Sequence, residues 1–339
     1  MIITRYDSGI VFSDFCAEWS ELLAESDANQ IFLTCEWLSA WWDVFQPGPL
    51  CVLVLRDSDT GRWMGIAPWF IQTDQSGQRV IYTVGCEDVT DYLDIVIRRG
   101  SEDQVLADLA DWLADHADEF DRAELCNIPE GSPVLAKLPA LIEPVGFSAA
   151  VEVADVCPLV VLPEQFEDYF MLLDKKDRHE LRRKMRRAAG TYDWYIVGPE
   201  HDLAAELPVF MSLMAASAPS KAEFLQNPLH RAFFESLIPR MAQCGWLQLA
   251  FLTVKGEPAA AYLSFVYSNR LLIYNSGLNP AVQGTTSPGI VLMSHLIEHA
   301  IRERRTVVDF LRGNESYKYD MGGRDTQIFS LLIDKRSEG

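Results

Sequence analysis

A chain of 339 residues is too long for one ordinary hydrophobic core and fits two domains of usual size. With 49% hydrophobic and 23% charged residues it has a globular composition, which excludes a long disordered tail or low-complexity tract. Its net charge of −20 argues against general polyanion binding outside one short segment, 175–187, which carries +6 and leaves −26 elsewhere.

The N-terminal MIITRYDSGIVF bears Asp7 and lacks a long apolar run, so no signal peptide is expected. No window approaches the ~20 apolar residues of a membrane span, which leaves a cytoplasmic location with peripheral membrane contact open. Seven cysteines (16, 35, 51, 86, 126, 157 and 244) are odd in number, scattered and never in C-x-x-C spacing. That pattern reads as buried thiols in a reducing compartment, without a disulfide framework or a zinc site. Trp37, Trp41 and Trp42 share helix spacing and suit a core. If exposed beside Asp91 and Tyr92, they would stack on a sugar ring of an acceptor, and Trp37, Asp91 and Tyr92 are therefore the acceptor-site candidates.

Strands are expected at 50–56, 63–72, 79–85 and 91–97, then a helix at 102–116 with Val105, Leu109, Trp112 and Leu113 on one face, then a strand at 123–128. The succession recurs as a meander at 247–256, 257–269 and 270–277, turning at Lys255-Gly256 and Ser268-Asn269. A helix follows at 287–304, with Ser287 as N-cap and Pro288 in the first turn, then strands at 306–311 and 327–335. Two copies of a mixed, mainly antiparallel sheet flanked by helices make an α/β (α+β) protein. The expected division is 1–160 and 161–339, with a helical insertion at 164–245 in the second half. The insertion holds the basic helix, from Asp174 as N-cap to Gly190 as its C-terminal stop, with Leu181, Met185 and Ala188 as its apolar stripe. Asp174 with Arg178, and Glu180 with Lys184, are expected i,i+4 pairs.

Helix N-termini carry unpaired N-H groups and partial positive charge, which suit a phosphate. The approach QGTTSPG (283–289) has no acid, whereas Glu102 and Asp103 occupy the matching first turn of the first half, beside Asp88, Asp91 and Asp94. If one copy binds a phosphorylated donor, it is the second. His295 and His299 lie four apart on one helix without the glutamate of H-E-x-x-H or a third ligand, so they read as packing residues and no metal is expected. No Gly-x-Ser-x-Gly elbow or P-loop is present.

With these elements in place, IYNSG, SPGIVLMSHLIEHAI and VVDFLRGNESYKYDMG resemble the C-terminal half of the CelD/BcsL-type acyltransferases, a GNAT-superfamily branch related to the FemAB transferases. IFLTCEWLSAWWDVF, GIAPWF, TDYLDIVI and KDRHELRRKMRRA fit the same family, so the resemblance covers nearly the whole chain. It implies a tandem GNAT-like acyltransferase fold, with acetyl-CoA or another acyl-CoA held at splayed strands and a helix N-terminus of the second copy. The usual Q/R-x-x-G-x-G/A pyrophosphate loop is replaced by Gln283 to Gly289. The implied donor contacts are Tyr274, Asn275, Ser287, Pro288, Gly289, Ile290, Arg312 and Lys318.

Attack of an amine on a thioester requires a neutral nucleophile, stabilisation of the tetrahedral oxyanion and a proton for the leaving thiolate. Backbone N-H groups at 274–277 suit the oxyanion, Asp309 or Glu315 the ammonium proton, and Tyr317 the proton returned to sulfur. Asp309 paired with Arg312, and Tyr317 with Tyr319 packed over the core, are the structural alternatives. The expected activity is transfer of an acyl group, acetyl foremost, to a small-molecule, sugar or peptide amine in cell-envelope or exopolysaccharide biosynthesis. Two other readings stay open: aminoacyl transfer from tRNA to a peptidoglycan precursor, as in FemAB relatives, and a non-catalytic GNAT-fold binding protein.

Overall fold

The computed structural model describes residues 1–86, 89–282 and 287–336. The chain forms two compact units. The first, Met1–Asp155 with Thr326–Gly339, opens with β1 (Ile2–Tyr6), α1 (Val11–Asp14), α2 (Cys16–Ala24), a 3-10 turn at Ile31–Leu33 and α3 (Cys35–Phe45). It continues through β2 (Leu50–Arg56), β3 (Trp63–Thr73), β4 (Arg79–Thr83), β5 (Val96–Ile97), α4 (Glu102–Asp115), β6 (Arg122–Pro129), α5 (Pro133–Ile142) and β7 (Phe147–Val161), whose end lies in the second unit.

The second unit, Val156–Asp325, holds α6 (Phe166–Leu172), α7 (Lys175–Ala188), β8 (Asp193–Ile196), α8 (Leu203–Ser217), α9 (Pro219–Gln226) and α10 (Pro228–Gln243). After them come β9 (Leu247–Val254), β10 (Glu257–Tyr267), β11 (Arg270–Leu278), α11 (Pro288–Arg302), β12 (Val307–Asp309) and α12 (Ser316–Asp320). The last strand, β13 (Arg324–Lys335), belongs to the first unit from Thr326 on, so the expected 161–339 division places it in the other unit. The insertion is helical apart from β8, a strand that composition alone does not reveal because DWYI is too short to show a period.

The units share one plan. In the first, the strands run in the order β1-β2-β3-β4-β6-β13; in the second, β8-β9-β10-β11-β12-β7. Each contains one parallel pair, β4 with β6 and β11 with β12, and antiparallel neighbours otherwise. A parallel pair needs a crossover, which α4 supplies in one unit and α11 in the other. Lys255 and Gly256, like Ser268 and Asn269, all have positive φ, the geometry of tight hairpin turns, and so fix the register of the meander.

Alternation along the strands builds the cores. In the first unit Leu53, Leu55, Trp69 and Ile81 pack on Val105, Leu109, Trp112 and Leu113 of α4. In the second, Leu252, Tyr262, Leu271 and Ile273 meet Leu292, Leu296 and Ile297 of α11 and Leu181 of α7. The opposite face of β11 lies under α8: a Cβ added at Gly277 would stand 2.6 Å from Leu213 Cβ and from the Met214 nitrogen. Glycine is therefore required there for backbone to approach backbone.

Two expectations are corrected. Residues 91–95 do not form a strand; only Val96 and Ile97 pair with β3. The buried segment instead bonds to β6, with Asn127 Nδ2 donating to the Thr90 carbonyl (2.7 Å) and Leu93 N-H to the Asn127 carbonyl (2.9 Å). Second, Cys16 is joined to Cys35 and Cys86 to Cys126, so four of the seven cysteines are paired. Separations of 19 and 40 residues hide such pairs from spacing arguments, and the thiol-based case for a reducing compartment falls with them. No helix among the described residues is long and apolar enough to cross a membrane.

Candidate acyl-transfer site

The strands of the second unit part at a defined rung. β11 pairs with β12 from Arg270/Val307 to Leu272/Asp309 and then runs on to Leu278, paired among the described strands with β10 alone. A register shift opposite Leu263 and Ser264 leaves Tyr274 as the extra residue of a bulge, so β11 bends where its β12 neighbour is lost. Among the described residues, no strand pairs with that edge of β11 beyond Leu272. In the first unit the pairing of β4 with β6 likewise stops, at Tyr82/Glu124, but there the 90–93 segment bonds to β6 at Asn127.

Around that edge of β11, Tyr274 packs its ring on Phe265 and Phe234, centroids 5.4 and 5.9 Å apart. Asn275 Oδ1 accepts from the Ser276 N-H (2.9 Å), which commits one of the backbone donors expected to face an oxyanion. Lys221 of α9 donates to the Ser276 carbonyl (2.6 Å) and to its Oγ (3.0 Å). Sequence reasoning missed this lysine, because it comes from the helical insertion and no motif surrounds it.

The α11 N-terminus carries no acid in its first turn, and Pro288 occupies its first position. Ser287 has φ +48° and makes no side-chain cap, so its expected capping bond is not formed. Pro288 and Gly289 are buried and Ile290 is half-buried. A Cβ at Gly289 would lie 2.8 Å from Leu278 Cδ2 and 3.7 Å from the Tyr262 hydroxyl, which ties the helix start to the end of β11. The groove beside Ile290 is lined by Lys184 and by three carboxylates, Asp177, Glu180 and Asp320, which the local sequence of the helix start does not reveal. Residues Gln283 to Thr286 of the approach, and Asp88 of its counterpart, lie outside the described residues.

Beyond β12 the chain makes a tight loop, with Leu311 at φ +57° and Gly313 at φ +110°. Asp309 is fully buried; its Oδ2 accepts from Arg270 Nη2 (2.6 Å) and its Oδ1 from the Leu311 N-H (2.9 Å). Lys318 is also buried, and its ammonium donates to the carbonyls of Leu311 (2.9 Å), Arg312 (2.7 Å) and Gly313 (3.0 Å) while pairing with Glu315 (2.9 Å). That ammonium holds the loop, and the expectation that it grips donor phosphates is corrected accordingly. Arg312 is half-buried and Glu315 exposed. Tyr317 packs edge-on to Phe310, and burial, with the Tyr262 and Glu315 oxygens adding to it, holds its phenol well above the ordinary value. Tyr317 therefore keeps its proton at neutral pH.

The acceptor candidates belong to the first unit. Trp37, Asp91 and Tyr92 are all buried in the first unit, Trp37 Nε1 donating to Thr90 Oγ1 (3.2 Å) and its ring meeting Phe32 edge-on at 4.7 Å. The exposure that sugar stacking requires is missing. Tyr92 instead lines a 280 Å³ cavity with Asp27, Asp94, Glu130 and Ser132. Burial pushes the Asp94 carboxyl up to about 7 against its bonds to Ser132 and to the Ile95 N-H. On α11, His295 Nε2 meets the Tyr192 hydroxyl (2.5 Å) and its ring stacks on Trp194, while His299 Nδ1 meets Arg302 (2.7 Å).

Comparison with known proteins places this geometry. Residues 175–319 match the profile of an acetyltransferase (GNAT) domain. FemX is similar in structure at 10% identity with a TM-score of 0.69, over 99% of this chain and 98% of that one. The fold is a tandem GNAT-like fold. A tandem GNAT protein from the clavulanic acid biosynthesis pathway aligns over 99% of both chains (13% identity, TM-score 0.51). L-PGS from Bacillus licheniformis aligns over 95% of this chain and 93% of its own (14% identity, TM-score 0.55). No curated protein sequence matches. In the tandem GNAT-like frame, the matched profile covers the edge of β11 beyond Leu272, the start of α11 and the loop after β12.

Proposed function

We propose that the chain is a GNAT-type N-acyltransferase that moves an acyl group, acetyl foremost, from acyl-CoA to an amine on a small molecule, sugar or peptide. An acceptor from cell-envelope or exopolysaccharide biosynthesis follows from the CelD/BcsL resemblance. The observation that carries the reading is the parting of β11 from β12 at Leu272/Asp309, which ends their pairing near a helix whose own first turn carries no acid. A pantetheine arm is itself an amide chain and can pair with such an edge as a strand would. Tyr317 is the residue assigned to return a proton to the thiolate, a transfer that burial makes harder because it holds the phenol well above its ordinary value. Both carboxylates are ion-paired, Asp309 with Arg270 and Glu315 with Lys318, but Glu315 is exposed and Asp309 fully buried, so Glu315 is the more accessible to take the ammonium proton.

The test is calorimetry of acetyl-CoA and free CoA with the wild type, Gly289→Asp and Ser287→Asp. Gly289 is buried against Leu278, so its carboxylate variant also strains the fold. Ser287→Asp is the cleaner probe: aspartate tolerates positive φ and favours a helix start, yet repels phosphate. Binding in the micromolar range, weakened by roughly tenfold or more in Ser287→Asp, about 1.4 kcal/mol, is the expected result. No binding by the wild type, or binding indifferent to Ser287→Asp, overturns the acyl-CoA reading.

Aminoacyl transfer from tRNA is the second reading, and the basic helix favours it. On α7, Arg182 pairs with Glu167, and Arg183 and Lys184 with Glu180, while Lys175, Lys176, Arg186 and Arg187 make no ion pair among the described residues. It requires salt-dependent tRNA binding that is lost when Arg186 and Arg187 are neutralised.

A further inference from the structure

The edge of β11 beyond Leu272 holds an amine that the transfer chemistry above does not use. Lys221 reaches it from α9, and its Nζ sits on the Ser276 carbonyl and hydroxyl, two residues beyond the bulge at Tyr274. We propose that Lys221 is an acyl-accepting lysine: with no amine substrate present, the bound thioester transfers its acyl group to Lys221 Nζ. The proposal rests on the acyl-CoA reading of this edge.

Three observations point the same way. A neutral lysine amine has two N-H donors and one lone pair, and Ser276 supplies two acceptors, its carbonyl oxygen and Oγ, so the lone pair is left for an electrophile. Burial pulls the Lys221 ammonium down to about 8, against the opposing pull of the Glu315 carboxylate. Near neutral pH its unprotonated fraction therefore exceeds that of an ordinary lysine by roughly two orders of magnitude. The other lysine of the site, Lys318, is committed to three loop carbonyls and Glu315 and has no lone pair to offer.

In the transfer, the Nζ lone pair adds to the thioester carbonyl carbon, a C-N bond forms and the C-S bond breaks. The thiolate leaves as CoA and takes up the proton that Nζ loses, so the products are an amide on Lys221 and free thiol. No oxidant or further reactant enters. The amide keeps one N-H for Ser276 and adds acyl bulk at the donor edge, so acylation closes the site while acceptor is lacking.

The experiment incubates the full chain with acetyl-CoA at pH 8, maps acetylated lysines by peptide mass spectrometry and follows donor affinity by calorimetry on the same samples. A parallel low dose of acetic anhydride reports which amines are reachable without donor binding. The expected result is acetylation concentrated at Lys221 with acetyl-CoA, abolished in Lys221→Arg and reduced in Ser287→Asp, and weaker rebinding of acetyl-CoA by the modified protein. Acetyl-CoA that binds yet leaves Lys221 unmodified overturns the proposal and assigns Lys221 to fastening α9 on β11. Absence of acetyl-CoA binding is a different failure, which removes the acyl-CoA reading itself and this inference with it.

Discussion

Arg270 and Asp309 form an ion pair where β11 and β12 part, with Arg270 Nη2 2.6 Å from an Asp309 carboxylate that is fully buried. Arg270 stays partly exposed, with 24% of its side chain open to solvent, so the two deletions differ in cost. Arg270→Met strands a buried carboxylate and is expected to destabilise by about 3–5 kcal/mol, whereas Asp309→Asn leaves a solvated guanidinium and costs less. Urea midpoints of both variants check this. Asp309→Asn that loses all transferase activity at unchanged stability would return Asp309 to the role of base.

Lys318 holds the loop after β12, satisfying three carbonyls where Leu311 and Gly313 have positive φ. Lys318→Met leaves those carbonyls unpaired and is expected to cost on the order of 3 kcal/mol. Lys318→Arg should rescue little, because a planar guanidinium cannot reproduce three converging ammonium bonds. Thermal midpoints of the two variants, read beside acetyl-CoA affinity, test whether binding falls only as the fold does.

Asp94 gives the first unit a pH dependence. Its folded pKa, about 7, lies above its ordinary 3.8, so the native state binds the extra proton between those values. The stabilising effect is complete below the unfolded pKa and is lost as pH rises through about 7. Asp94→Asn removes this slope, so relative to wild type it should gain up to about 4 kcal/mol between roughly pH 4 and 8. Urea melts at the two ends of that range decide it; parallel curves for both proteins would contradict the burial argument.

The cysteine pairing predicts a thiol count. Unfolded without reductant, the chain should expose three alkylatable thiols, Cys51, Cys157 and Cys244, and all seven after reduction. In the native state Cys51 should resist, because burial pushes its thiol up to about 12. Mass spectrometry after iodoacetamide counts the groups directly.

The repeated meander, the helices 102–115 and 288–302 and the hairpin turns at Lys255-Gly256 and Ser268-Asn269 were legible in the sequence, because local period and turn chemistry decide them. So was the lack of an acid in the first turn of α11, although the carboxylates of Asp177, Glu180 and Asp320 beside it come from other elements. What Asp309, Lys318, Asp94 and Lys221 do was decided only by tertiary structure. Each is defined by partners brought in from other elements, Arg270 for Asp309, Ser132 for Asp94 and Ser276 for Lys221, or by a loop folding back on itself, as for Lys318. The same holds for β13 joining the first unit and for the pairing of Cys86 with Cys126. Side-chain chemistry names the groups that can act, but the energy that fixes their state comes from desolvation and from partners distant in the chain, which no local pattern records.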